Sequence, residues 1–184
     1  LYMDILRKRG NIYLHHEEKG LPPVLTFDYE IIMDGRNFEK PVNHALARTV
    51  RDTCLEMGHQ VYFHDLHAEN FDPLLPPEEI AKDAPLPDAI ASHCEEIANA
   101  DGIVIVHPNW WGQPPAILKG WVDRVLRPGI AYNFLERDSG DGIPVGLLSA
   151  ETALVFNTSN TPQQREKQVF GDPLESIWKS CIFN

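Results

Sequence analysis

Apolar residues follow two alternating rhythms along the chain. Short unbroken apolar runs are followed by stretches in which apolar positions return every three or four residues. From Glu30 onward this alternation predicts strand, helix, strand, helix. Glu30-Ile31-Ile32-Met33, closed by Asp34-Gly35, predicts a first strand and its turn. After Asn43, Leu46, Val50 and Cys54 recur at helical spacing, and Gly58 ends the helix. Val61-Tyr62-Phe63 is β-branched and aromatic and predicts a second strand. Phe71 to Pro87 is proline-rich and reads as a long loop. Ile90, Cys94, Ile97 and Ala98 mark a second helix. Ile103-Val104-Ile105-Val106 is the clearest strand, an apolar run suited to burial on both faces of a parallel sheet. Pro114-Pro115 opens a helix whose inner face is Ile117, Leu118, Trp121, Val122, Val125 and Leu126, and Pro128-Gly129 stops it. Ala153-Leu154-Val155-Phe156 predicts a fourth strand, and Leu174 to Ile182 a last helix.

Residues 1–28 hold no period for more than a few residues and are expected to form an extension or arm. Residues 29–184 then make one α/β domain, a three-layer sandwich with a parallel sheet and helices on both faces. Four strands leave such a sheet one short, so a fifth is expected beyond Asn184. Ligands of these sheets bind outside the carboxyl ends of the strands. Segments 34–43, 107–114 and 157–162 fall there.

Each segment has a chemical reading and a structural one. His107-Pro108-Asn109-Trp110-Trp111-Gly112-Gln113-Pro114 could hold a flat heteroaromatic ring against its indoles, or simply cover the core. Asn157-Thr158-Ser159-Asn160-Thr161-Pro162 offers hydroxyl and amide groups to a polar ligand edge, or caps the next segment. Segment 34–43 leads into a helix N-terminus, where phosphate binds well, with Arg36 and Lys40 adding charge. It matches neither G-x-x-x-x-G-K-[ST] nor G-x-G-x-x-G, and equally reads as a solvated turn.

Composition narrows the partners. Lys and Arg number 16 against 27 Asp and Glu, a net charge of −11, which argues against a nucleic-acid partner. No apolar run is long enough to span a membrane. Cys54, Cys94 and Cys181 are far apart, which fits a reducing compartment and a cytoplasmic location. His59, His64 and His67 surround the second strand, but their spacing does not put all three on one face, and no metal site is expected.

The run from Trp110 to Val125, and within it Pro115-Ala116-Ile117-Leu118-Lys119-Gly120-Trp121, resembles the signature of the NAD(P)H dehydrogenase (quinone) family. These are flavodoxin-like, DT-diaphorase-like quinone reductases. Pro128 to Phe134 follows at the family's distance, Asn43 to Ala47 is similar to the start of its first helix, and Ala153 to Thr158 to its fourth strand. The resemblance covers about residues 30–184. It implies a homodimer that binds FAD or FMN without a covalent bond. Pro108, Asn109, Trp110 and Trp111 would line the isoalloxazine, and Thr158, Ser159 and Asn160 would approach its polar edge. Asn43 would sit by the phosphates, and Tyr132 and Phe134 would shape the substrate pocket. The family's usual loop His and Ser stand here as Arg36 and Pro41, so Arg36 or Lys40 is expected to share the phosphate contact. The mammalian-type Tyr and His that assist hydride transfer have no match after Pro162.

The activity so implied is two-electron reduction of a quinone-like acceptor by NAD(P)H, in a ping-pong cycle through the flavin. The protein then supplies orientation rather than a catalytic acid, base or nucleophile. A flavodoxin-type electron carrier and a non-catalytic dimeric module with an altered phosphate loop are the competing readings.

Overall fold

A computed structural model describes residues 2–7, 24–29, 42–134 and 144–183. The main sheet is built from β1 (Tyr2–Arg7), β2 (Val24–Tyr29), β3 (Gln60–Asp65), β4 (Gly102–Pro108) and β7 (Thr152–Thr158). The short strands β5 (Tyr132–Asn133) and β6 (Val145–Gly146) form a separate hairpin. The order in the main sheet is β1-β7-β4-β2-β3. Its pairings from β3 across to β7 are parallel and follow the expected flavodoxin-like order.

The sheet departs from expectation in three places. The sheet position between β3 and β4, expected for Glu30–Met33, is held by Val24–Tyr29. Glu30–Met33 itself lies outside the described residues. Nor are residues 1–28 simply an arm, since two of their segments are strands of the main sheet. The place beside β7, where a further parallel strand was expected, is taken by β1, which runs antiparallel. Pairing at a sheet edge needs no apolar run, so periodicity did not mark it.

Alternation along β4 and β7 explains the layers. Ile103, Ile105, Ala153 and Val155 enter one core, with Ile97, Trp121 and Trp178. Val104, Val106, Leu154 and Phe156 enter the other, with Ala47 and Cys54. Helix α1 (Val42–Glu56) covers that second face. Helices α2 (Asp88–Asn99) and α3 (Ala116–Val125) cover the first. They are joined there by α5 (Pro173–Glu175), which runs on into a π-helical stretch, Ser176–Ile182. A shorter copy of that arrangement, α4 (Gln163–Arg165) followed by Glu166–Phe170, precedes it. Gly58 ends α1 in the left-handed region at φ 82°, and the His59 N–H returns to the Cys54 carbonyl.

The proline-rich segment is irregular but not loose. Arg124 on α3 donates from Nε and Nη2 to the two carboxylate oxygens of buried Glu79, at 2.9 and 2.5 Å. Its Nη1 reaches the Asp72 carbonyl at 2.6 Å. Arg127 donates to the Glu79 and Ala81 carbonyls. Both charges are buried and bonded on several sides, the condition under which burial is tolerated. Gly120 lets the loop come this close, because a Cβ there would lie 2.3 Å from the Pro73 backbone. Among the described residues, no helix is long and apolar enough to cross a membrane.

Candidate functional site

The carboxyl ends of β4 and β7 are adjacent, with His107 opposite Asn157 and Pro108 opposite Thr158. That register brings segments 107–114 and 157–162 together, as their positions at strand ends predicted. The Asn109 N–H donates to the Thr158 carbonyl at 2.7 Å. Thr158 Oγ1 in turn donates to Oδ1 of Asn43, a buried residue in the first turn of α1. Asn43, Asn109 and Thr158, from three separate parts of the sequence, therefore form one connected cluster.

Beyond Asn109 the chain makes a tight reversal. Trp110 and Gln113 exchange both backbone hydrogen bonds, each at 3.0 Å. The two residues between them are left-handed, Trp111 at φ 57° and Gly112 at φ 74°. A bulky residue in that region is uncommon and must be held by its surroundings. Asn109 Oδ1 accepts the Gly112 N–H at 2.8 Å, and Asn109 Nδ2 donates to Glu166 Oε1 at 2.9 Å. Gly112 is needed twice over, since a Cβ there would also fall 2.5 Å from Pro173.

The reversal carries its aromatic rings outward. Trp111 is 100% exposed and Trp110 43%. Ser159 Oγ accepts the Thr161 N–H at 3.0 Å, which directs the hydroxyl hydrogen elsewhere. Asn160 is exposed beside it. Tyr132 and Phe134 pair with each other, edge to face at 5.5 Å, at the β5–β6 hairpin. Arg36, Lys40 and Pro41 lie outside the described residues.

Directly beneath the reversal lies a group with no motif to announce it. His107 is fully buried. Its Nδ1–H donates to the Pro108 carbonyl at 2.7 Å, and its Nε2 accepts the Trp178 indole N–H at 3.0 Å. Burial lowers its pKa to about 4, against a smaller opposing effect of the Pro108 bond. The ring is neutral at pH 7 and both nitrogens are used. Its signal in the sequence was a polar residue ending an apolar strand.

A second cluster lies on the same side of the sheet. His64 Nδ1 faces Glu69 Oε1 at 3.0 Å, and His64 Nε2 faces Glu96 Oε2 at 2.5 Å. Glu69 also approaches His93 Nε2 at 3.4 Å, and the two imidazoles lie 4.0 Å apart. Burial works against a charged His64, but hydrogen bonds and charge from Glu69 and Glu96 outweigh it and raise the pKa. Glu69 is likewise opposed by burial, yet its two histidines bring it to about 2. Ligand-type atoms of His64, Glu69 and His93 fall within 4.8 Å of one another, a spacing that suits a cation. The Trp121 indole, however, donates to His93 Nδ1, which puts that ring's proton on Nε2. That nitrogen then has no lone pair for a metal, and the carboxylates at both His64 nitrogens favour a proton there instead. Of the three histidines expected around this strand only His64 enters the cluster. His93 lay unmarked in the apolar stripe of α2.

The model of the flavodoxin-like fold family matches residues 31–181. Over 156 residues the chain is 34% identical to an uncharacterized NAD(P)H oxidoreductase of Haemophilus influenzae, covering 84% of this chain and 73% of that one. The chain belongs to the flavodoxin-like NAD(P)H quinone oxidoreductase family. Human ribosyldihydronicotinamide dehydrogenase (quinone) is 30% identical over 160 residues, 76% of this chain and 67% of the relative. Among solved structures, an NAD(P)H:quinone oxidoreductase from Methanothermobacter marburgensis superposes with a TM-score of 0.69 at 24% identity. It covers 85% of this chain and 77% of that one, and it supports the fold. The cluster at the carboxyl ends of β4 and β7 suits a flat, partly charged ligand. It offers two exposed indole faces, a row of small polar side chains at a strand end, and the start of a 15-residue helix.

Proposed function

We propose that this flavin-dependent NAD(P)H oxidoreductase reduces quinone-like acceptors by two electrons at the carboxyl ends of β4 and β7. The observation that carries the reading is the outward reversal at Trp110–Gln113, locked to Thr158 and Asn43 through Asn109. The flavin, FAD or FMN, supplies the hydride relay between nicotinamide and acceptor. Pro108, Asn109, Trp110 and Trp111 hold its ring system. Thr158, Ser159 and Asn160 meet its polar edge, where the Ser159 hydroxyl and the Asn160 amide can donate to developing negative charge while the Thr158 hydroxyl stays committed to Asn43. Asn43, in the first turn of α1, serves the phosphates, with Arg36 as the charge the sequence offers them.

Hydride transfer needs contact between flat rings, so the protein's task is to keep two ring planes parallel and water out. Tyr132 and Phe134 shape the acceptor side. The assembly is a homodimer in which Tyr132 lies near the partner subunit's flavin. The three free cysteines suit the reducing cytoplasm.

A visible spectrum of the purified protein tests the reading first. Flavin bands that bleach with NADH or NADPH and recover with a quinone are expected. Bleaching that no quinone reverses would mark another acceptor, and flavin bands that neither nicotinamide bleaches would mark an electron carrier. Trp111→Ala is expected to lower flavin occupancy, and a monomeric mass by light scattering would remove the dimer.

A further inference from the structure

We propose that Glu166 is a positioning residue for the flavin-stacking reversal, acting through Asn109; this rests on the flavin reading above. A carboxylate at neutral pH only accepts hydrogen bonds, whereas a carboxamide donates from nitrogen and accepts at oxygen. Glu166 therefore dictates which way the Asn109 amide points. With Nδ2 turned to Glu166 Oε1, Oδ1 has to face the Gly112 N–H, and both bonds are present at 2.9 and 2.8 Å. A turned amide would set an N–H against the Gly112 N–H and an oxygen against the carboxylate.

The orientation matters because of where Gly112 sits. It follows Trp111, whose left-handed backbone is unfavourable for an indole-bearing residue. Asn109 Oδ1 is the side-chain acceptor that spans this turn. Glu166 is itself well anchored. Its N–H returns to the Pro162 carbonyl at 3.1 Å, and its own carbonyl accepts the Asp172 N–H at 3.1 Å. It is half-buried, so its bond to Asn109 is partly shielded from water. Glu166 thus fixes the pose of Trp111 without touching it, through one amide and one backbone N–H.

The test is flavin affinity of the full chain, stripped and titrated with FMN and with FAD, alongside thermal melting without flavin. Glu166→Ala is expected to weaken binding about tenfold or more, the scale of one lost charge-assisted hydrogen bond. Glu166→Gln keeps an acceptor and should stay within about threefold of the parent. Asn109→Asp sets two carboxylates face to face and should bind as poorly as Glu166→Ala. In the double variant N109D/E166Q the polarity of the link is reversed. The introduced amide donates to one oxygen of the introduced carboxylate, whose other oxygen still accepts the Gly112 N–H.

Recovery of affinity in that double variant, with melting temperatures of the flavin-free forms unchanged, is the expected result. A double variant no better than Asn109→Asp, or a Glu166→Ala protein that binds like the parent, would overturn the inference. A parent that binds neither FMN nor FAD would instead overturn the flavin reading, and this inference with it.

Discussion

Two tryptophan–histidine pairs lie on the same side of the sheet and do different work. In each, an indole N–H donates to an imidazole nitrogen: Trp178 to His107 and Trp121 to His93. Around His107 the remaining partner is a backbone carbonyl, and no carboxylate is bonded to the ring. Burial prevails there and the imidazole stays uncharged. Around His93 a carboxylate sits on the far side, shared with His64, and a second carboxylate closes on His64. There the acidic partners prevail over burial and His64 holds its proton more tightly. The same residue type is thus a neutral strut under one loop and, beside another, a clasp whose proton two carboxylates hold more tightly. What separates the two is the formal charge of the acceptor, not depth alone.

The largest way to break the contrast is to remove the neutral strut. His107→Leu leaves the Trp178 N–H and the Pro108 carbonyl without their partner in a dry site. A loss of about 4 kcal/mol is expected, the sum of two orphaned buried groups. His107→Gln can still accept and donate, so it should keep most of that stability. Urea unfolding compares the three proteins, and equal midpoints for Leu and parent would refute the role.

The next effect appears in acid. A folded pKa near 4 lies below the unfolded value of 6.5, so the unfolded chain binds more protons between those limits. Stability falls as pH drops through that window, by about 3 kcal/mol from this group, and levels off below it. His107→Gln should lack that portion of the acid slope. An unchanged slope would mean that other groups produce it.

His64 has the opposite sign. Its raised pKa gives stability that is complete below pH 6.5 and is lost as pH rises through the folded value. Glu96→Gln should flatten that alkaline decline and cost about 1.5 kcal/mol at pH 6, in the range of a charged hydrogen bond. Unfolding at pH 6 and pH 9 measures both. A variant with the parent's alkaline slope would contradict the clasp. Smallest of all, Trp121→Phe should cost about 1 kcal/mol, because a single 3.3 Å bond is lost while the aromatic volume stays.

Much of this architecture was legible in the residue pattern. The apolar run 103–106 and the stripes through Ile90, Cys94 and Ile97 and through Ile117, Leu118, Trp121 and Val125 became a core strand and two core helix faces. These are local periodicities, and local physics writes them. The register of β4 and β7 also brought 107–114 and 157–162 together as strand-end logic required. What escaped were partnerships made across space. Glu79 with Arg124, His64 with Glu96, Asn109 with Glu166 and His107 with Trp178 join residues 32 to 71 positions apart. Each partner alone is an ordinary polar residue, and no spacing rule links them. The strand between β3 and β4 went unmarked for a related reason. Val24–Tyr29 is identified by the neighbours it pairs with, β3 and β4, more than by its own run of letters.

The placement of β1 has a consequence for the order of events as the chain is made. Tyr2 pairs with Asn157 and Arg7 with Thr152. The first of these strands to leave the ribosome must wait for the last. About 150 residues of intervening chain have to emerge before that edge can close, and contacts so distant in sequence form slowly. Until then β1 is an unpaired strand carried by a growing polypeptide, exposed to other nascent chains and to chaperones. Synthesis speed, and not only the free energy of the finished sheet, therefore bears on how much of this protein reaches its native state.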